Sequence, residues 1–306
     1  MSSPVRHSLL QLAETPSDTR LTYSAWYRHG VALLSAQGIE HAAQEALWIL
    51  EAALGIPRLA IYVYPEREMS RSQWDAAMTW LTRRAAGEPL QYVLGIQEFC
   101  GRDFRVAPGV FIPRPETELV LQELVAHALP EPLWLADVCT GSGCIAVMMA
   151  IVYPEARVYA TDCSPRALEI ARDNAVRFGV DQRLTFALGD LLEPFRQMGL
   201  EGRLSAITAN PPYIPTDELL TLPKDVREFE PRQALDGGAD GLAVSRRLLK
   251  QALTFLRPGG MLVLEIGEGQ MNQLCQELEA FPDYALCGIR RDPSGIERVL
   301  CMQRIG

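Results

Sequence analysis

The sequence predicts an α/β fold: a seven-stranded, mostly parallel sheet with helices on both faces and an antiparallel last strand, preceded by a small helical domain and a β-hairpin linker. Three observations predict it. Residues 1–88 carry helical periodicity with cap and stop residues at the ends of each run. From Pro89 the pattern changes to short alternating runs around a glycine turn. The remainder alternates apolar strand-like runs with amphipathic helical ones, the pattern of a parallel sheet covered on both sides. The domains expected are residues 1–88, helical; 89–113, the hairpin linker; and 114–306, the sheet domain.

Each element has its own signal. "TYSAWYRHGVALLSAQG" opens on Thr22, an N-cap residue, and stops at Gly38. "EHAAQEALWILEAALG" stops at Gly55, and "SRSQWDAAMTWLTRRAAG" runs from Ser70 to Gly87. "PRLAIYVYPE" between them is read as a short helix, and the Met, Trp and Leu stripes of this domain as core. "YVLGIQEFCGRDFRVAPGVFIPRPETE" carries β-type runs around Cys100-Gly101-Arg102-Asp103, then a helix from about Glu116 to Leu129. Strands are expected at "LWLADV", "ARVYATD", "RLTFALGD", "SAITA", "GMLVLEIG", "YALCGIR" and "IERVLCMQ". Helices are expected at "GCIAVMMAIVY", "SPRALEIARDNAVRFG" and "SRRLLKQALTFLRPG". "RDPSG" is too short for a parallel crossover, so the last two strands must be antiparallel.

Composition narrows the function classes. The chain is 48% hydrophobic and 22% charged, as globular proteins are. No apolar run approaches the ~18–20 residues of a membrane span, and the first 18 residues lack the pattern of a signal peptide. Seven cysteines without a C-x-x-C pair point to reduced thiols in the cytoplasm, with neither a disulfide frame nor a zinc site. Residues 91–306 hold 21 basic and 29 acidic residues, a balance of −8, the opposite of what general nucleic-acid affinity requires. All four histidines precede Glu131, which excludes a Ser-His-Asp triad or a His-rich metal site within 131–306.

Four motifs fall at the carboxyl ends of expected strands, the edge at which open α/β sheets bind ligands. "LADVCTGSGCIAV" ends a strand at Asp137 and opens a helix through Cys139, Thr140, Gly141, Ser142 and Gly143. Such a turn lets a ligand approach backbone N–H groups at a helix N-terminus, and alone it is also an ordinary turn. Asp162 ends the next strand, 21 residues after Gly141, where a carboxylate accepts from ribose hydroxyls or assists the cap at Ser164. Asp190 ends the third strand as an acceptor for an adenine amino group or as a loop acid, with Leu191 placed to flank the ring. Asn210-Pro211-Pro212-Tyr213 halts the fourth strand, because two prolines cannot donate to the ladder. The ligand has the character of an adenosine without phosphates: the third glycine of the dinucleotide fingerprint and the phosphate-loop lysine are both missing. "FIPRPETE" is either a helix entry or a cover for the ligand, through Arg114 or an acid such as Glu118.

Asn210-Pro211-Pro212-Tyr213 resembles the [DNS]-P-P-[YFW] motif of class I S-adenosylmethionine-dependent methyltransferases that act on amide or amino nitrogens. Together with "GEPLQYVLGIQEFCGRDFRVAPGVFIPRPETE", "DVCTGSGCIAV", "NPPYIP" and "VREFEPRQALDGGADGL", it resembles the release factor glutamine methyltransferase (HemK) family over nearly the whole chain. The resemblance implies a Rossmann-like methyltransferase domain with S-adenosyl-L-methionine as cofactor and no metal. It implies methylation of the glutamine side-chain nitrogen in the Gly-Gly-Gln motif of class I peptide chain release factors, in translation termination. The expected state is a monomer, with the helical domain docking the partner and no direct DNA binding. Cys139 leans towards a sister family that methylates a large-subunit ribosomal protein, and "FIPRPETE" towards the release-factor enzymes. A DNA adenine methyltransferase would need a sequence-reading domain and a basic surface, and a non-catalytic adenosine-binding regulator would not need an intact Asn-Pro-Pro-Tyr. Cys139 and Cys144 are read as packing residues.

A primary amide nitrogen is a poor nucleophile because its lone pair is delocalised into the carbonyl. The resemblance implies that Asn210 Oδ1 and the Pro211 carbonyl accept its two N–H groups and aim the nitrogen at the sulfonium methyl. Tyr213 then packs against the glutamine and excludes water. Positioning of this kind is worth ~7–11 kcal/mol.

Overall fold

A computed structural model describes residues 20–306. The expectation of no signal peptide and the start of the 1–88 domain lie outside the described residues. The chain forms two compact units, one ending at Gly95 and including Lys224–Phe229, the other spanning Ile96–Pro223 and Glu230–Gly306.

The first unit is helical: α1 (Tyr23–Ala36), α2 (Ala42–Leu54), α3 (Arg58–Val63), α4 (Arg71–Ala85) and α5 (Leu90–Leu94). The caps sit where the sequence places them. Thr22 Oγ1 accepts from Ala25 N, Gly55 ends α2 in the left-handed region, and Ser70 and Gln73 form a reciprocal capping box on α4. Trp26, Leu34, Ile49, Leu50, Trp74 and Leu81 fill the core. Tyr92, Val93 and Leu94, expected in a β-type run, belong instead to α5, a single turn between Pro89 and Gly95 that is too short to show a helical period.

The second unit opens with a hairpin of β1 (Ile96–Phe99) and β2 (Arg102–Arg105), paired antiparallel. Its turn is Cys100-Gly101, both at positive φ, so pairing already resumes at Arg102. A single 3₁₀ turn (Pro115–Thr117) leads into α6 (Glu118–Val125), shorter than the run to Leu129 that periodicity suggests. Then follow β3 (Trp134–Val138), α7 (Cys144–Val152), β4 (Arg157–Asp162), α8 (Pro165–Arg177), β5 (Leu184–Leu188), α9 (Glu193–Arg196) and β6 (Leu204–Ala209). After α10 (Lys224–Phe229), which clusters with the first unit, come α11 (Ala243–Phe255), β7 (Leu256–Glu265), α12 (Met271–Leu278), β8 (Tyr284–Arg291) and β9 (Glu297–Arg304).

The seven expected strands form one sheet in the order β5-β4-β3-β6-β7-β9-β8, parallel through β7, with β9 antiparallel to both its neighbours. Alternation builds two cores. Leu135, Ala206, Met261, Val263, Val299 and Cys301 face α6, α7 and α8. Ala136, Ile207, Leu262, Leu264, Leu300 and Met302 face α9, α11 and α12. Every residue of β6 is buried, as the central strand of a doubly covered sheet must be.

Candidate active site

The chain leaves β3 toward β4 on one side and reaches β6 on the other, so the crevice above these strands is a topological switch point. The carboxyl edge carries, in spatial order, Asp190, Asp162, the glycine loop, Asn210 and Glu265 at the ends of β5, β4, β3, β6 and β7. Neighbouring strands lie about 4.8 Å apart, so these groups line one short edge.

The glycine loop is held from below. Asp137, fully buried, accepts from Thr140 Oγ1 at 2.5 Å and from Thr208 Oγ1 at 2.8 Å. Burial raises its carboxyl to about 7, against the pull of those hydroxyls. The buried Asn174 side chain donates to the Ser142 carbonyl and exchanges hydrogen bonds with the Arg105 backbone, tying the loop to the hairpin. Gly143 stands at φ 79° where α7 approaches α8, and a Cβ there would lie 2.9 Å from Ala171 Cβ. Cys139 has φ 58° and Leu191 φ 49°, conformations that cost a non-glycine residue about 1–3 kcal/mol and that mark the backbone turning at the ligand edge.

Asp162 faces the loop from β4. Its Oδ2 accepts from Gly141 N at 2.9 Å and its Oδ1 from Ser164 N at 2.8 Å, so it braces both the loop and the cap of α8. Each oxygen keeps a second lone pair for a diol. Burial raises the Asp162 carboxyl above its ordinary value. Ser142 Oγ, buried in the loop, has no oxygen or nitrogen partner among the described residues. An acceptor carboxylate and an open glycine turn fit a ribose-bearing cofactor of low charge. Asp190 is exposed and ion-paired to Arg247, while the Leu191 side chain is packed in the core beneath. Burial pushes the Cys139 and Cys144 thiols up, so neither is a thiolate near neutrality.

On the other side of the switch point, Asn210 Nδ2 donates to Thr117 Oγ1 at 3.1 Å. In this orientation of the amide, Oδ1 is turned away from Thr117. Gln270, at the start of α12, donates to the Tyr213 carbonyl at 2.8 Å and accepts from Gly267 N at 2.9 Å, which clamps the Asn-Pro-Pro-Tyr turn. Gly241 lies so close that its Cβ would stand 2.2 Å from the Tyr213 carbonyl oxygen. Tyr213 OH reaches Glu265 Oε1 at 3.4 Å, and burial raises the Tyr213 hydroxyl well above its ordinary value. Arg114 does not stand free over the edge. It stacks 5.0 Å from the Phe111 ring and pairs with the buried Glu230, whose other oxygen accepts from Ile112 N. Glu118 accepts from Cys100 N at 2.7 Å and so anchors the hairpin turn. Thr117, Glu230, Gln270 and Glu265 were not singled out from sequence. Glu265 obeys the same strand-end rule as Asp162 and Asn210. Thr117 and Glu230 carry no such signal, since their partners lie 93 and 116 residues away.

Two family models match the chain: the PrmC N-terminal domain over residues 25–95 and the Methyltransferase small domain over 103–221. A release factor glutamine methyltransferase of Geobacter sulfurreducens is 42% identical over 267 residues, 87% of this chain and 91% of that protein. The chain belongs to the release factor glutamine methyltransferase family. A second family member, from Moorella thermoacetica, is 44% identical over 83% of this chain and 92% of its own length. A methyltransferase from Pyrococcus furiosus, 20% identical, has the same sheet domain, with a TM-score of 0.50 over 68% of this chain and 91% of that one. As a family member the chain is a methyltransferase, and its Asn-Pro-Pro-Tyr turn sits at the switch point of a methyltransferase sheet. No helix among the described residues is long and apolar enough to cross a membrane.

Proposed function

We propose that this protein transfers the methyl group of S-adenosylmethionine to the side-chain amide nitrogen of the glutamine in the Gly-Gly-Gln motif of a class I peptide chain release factor. The observation that carries the reading is the Asn210 amide at the end of β6, oriented with its nitrogen on Thr117 Oγ1 and its oxygen away from it, next in the chain to Pro211. A planar NH₂ group needs two acceptors in its own plane, one along each N–H and about 5 Å apart, and Asn210 Oδ1 with the Pro211 carbonyl would serve as that pair. S-adenosylmethionine supplies an electrophilic methyl on an activated sulfonium. The glycine loop Cys139–Gly143 and Asp162 would hold it, with Asp190 toward the adenine and Asn210 at the reacting end; Leu191, its side chain packed in the core, would contribute only the backbone turn beside Asp190. Asn210 and Pro211 orient the glutamine nitrogen and stabilise the positive charge that grows on it. Pro212 stiffens the turn, and Tyr213 excludes water. Arg114 and Glu118 act indirectly: the first ties the segment before Thr117 to Glu230, the second fixes the hairpin. The helical unit docks the release factor, the enzyme works as a monomer in the cytoplasm, and DNA is not bound.

The test is to incubate the protein with labelled S-adenosylmethionine and, in separate reactions, a release factor, a ribosomal large-subunit protein and DNA. Label on the Gly-Gly-Gln glutamine is expected. Label confined to the ribosomal protein or to DNA would replace this substrate.

A further inference from the structure

Glu265 is 1% exposed and ends β7 level with Asn210, since Ala209 pairs with Leu264 in the preceding rung. Its Oε1 takes the Tyr213 hydroxyl, while Oε2 is buried with no hydrogen-bond partner of good geometry among the described residues. A buried carboxylate oxygen left short of donors is costly, so its place beside the substrate turn asks for a reason. Thr117 supplies one. It is 2% exposed, its oxygen already accepts from Asn210 Nδ2, and it lies near enough to the Glu265 carboxylate to favour its charged form. A hydroxyl has one proton, so the Thr117 proton must leave the Asn210 side, and Glu265 is the acceptor near it. The opposite amide orientation would draw that proton to Asn210 Oδ1 and deprive the carboxylate of it.

We propose that Glu265 is a positioning residue for methyl transfer: through the Thr117 hydroxyl it holds the Asn210 amide with its oxygen toward the incoming glutamine. Asn210 N–H to Thr117 O–H to Glu265 forms a polarised chain, and each link strengthens the next, so Oδ1 becomes a stronger acceptor for the charge developing on the substrate nitrogen. The inference rests on the role given to Asn210 above. Among the described residues, those that bear on the Glu265 charge are Glu116 and Thr117 from the turn before α6, Tyr213 after β6, and Arg298 on β9. Burial raises its carboxyl to about 7, with Thr117 and Tyr213 opposing and Glu116 adding to the rise. The ionised form is the better acceptor, so turnover should rise as pH passes upward through that value.

The experiment compares Thr117→Val, Thr117→Ser and Glu265→Gln in steady-state methylation of a release factor, reading kcat, both KM values and the pH profile. Thr117→Val and Glu265→Gln are expected to lower kcat about 10- to 100-fold with KM for S-adenosylmethionine little changed, and to lose the rising limb near pH 7. Thr117→Ser, which restores the hydroxyl, should recover most of the turnover. Wild-type kcat in Thr117→Val, or equal loss in Thr117→Ser and Thr117→Val, overturns the chain. A wild-type pH profile in Glu265→Gln overturns the carboxylate's part. Should Glu265→Gln not fold, the Thr117 pair decides alone. Asn210→Ala, run alongside, separates the two readings: if it turns over normally, the role of Asn210 has failed, whatever Glu265 does.

Discussion

Asn210 is half-exposed at the end of a fully buried strand, and its one assigned hydrogen bond spends the amide nitrogen and leaves the oxygen. Asn210→Ala should therefore keep S-adenosylmethionine affinity within about tenfold, measured by calorimetry, while turnover falls by at least about 100-fold. Near-normal turnover would remove Asn210 from the chemistry. Asp137 makes a different prediction, about stability. Its folded carboxyl is raised to about 7 by burial, so the folded state binds the proton more tightly than the unfolded chain does. That contribution is present at low pH and is lost as pH rises from about 4 through 7. Denaturant melts at pH 5 and pH 8 should show wild type losing more stability than Asp137→Asn over that interval; parallel losses would contradict it. Placement at the carboxyl edge was legible where one rule applied: polar residues at strand ends, which put Asp162, Asp190 and Asn210 there and would equally have put Glu265. Thr117 was not legible, because it meets Asn210 only in the folded chain, and no local pattern encodes a contact 93 residues distant.

At the scale of elements, the two loop glycines do different work. Gly143, at φ 79°, is where α7 and α8 touch, with Ala171 Cβ 2.9 Å and Ala171 Cα 3.1 Å from a Cβ placed there. Gly141, at φ 56°, opens onto space with nothing within 4 Å. Gly143→Ala should cost about 1–3 kcal/mol in urea unfolding, since neither helix backbone can give way cheaply. Gly141→Ala should cost less stability, yet weaken S-adenosylmethionine binding, because its methyl enters the space a ligand needs. Equal stability losses, or unaltered binding in Gly141→Ala, would refute this division. Strands and capped helices were legible because period and cap agree, as at Ser70 with Gln73. The sequence reading missed α12, whose N-cap Gln270 makes no capping bond and spends its side chain on Gly267 and Tyr213 instead. The same reading took α5 for a strand because five residues cannot display a helical period.

For the molecule as a whole, the cores are separate. The helical core draws on residues 21–94, and both faces of the sheet draw on residues 99–302. A unit with its own core can fold alone. The fragment 96–306 should therefore unfold cooperatively and bind S-adenosylmethionine within about tenfold of the full chain's affinity, although α10, which clusters with the helical unit, loses its partners there. If the helical unit serves to dock the substrate, the two halves of the activity should part company. Toward a short Gly-Gly-Gln peptide, which reaches only the Asn210 turn, the fragment's kcat should match that of the full chain. Toward an intact release factor its kcat/KM should fall at least about tenfold through KM, because remote binding energy has been removed while the reacting groups remain. A fragment as efficient as the full chain on the intact release factor would deny the helical unit that role. A fragment that cannot fold would show that the sheet domain depends on residues outside its own core.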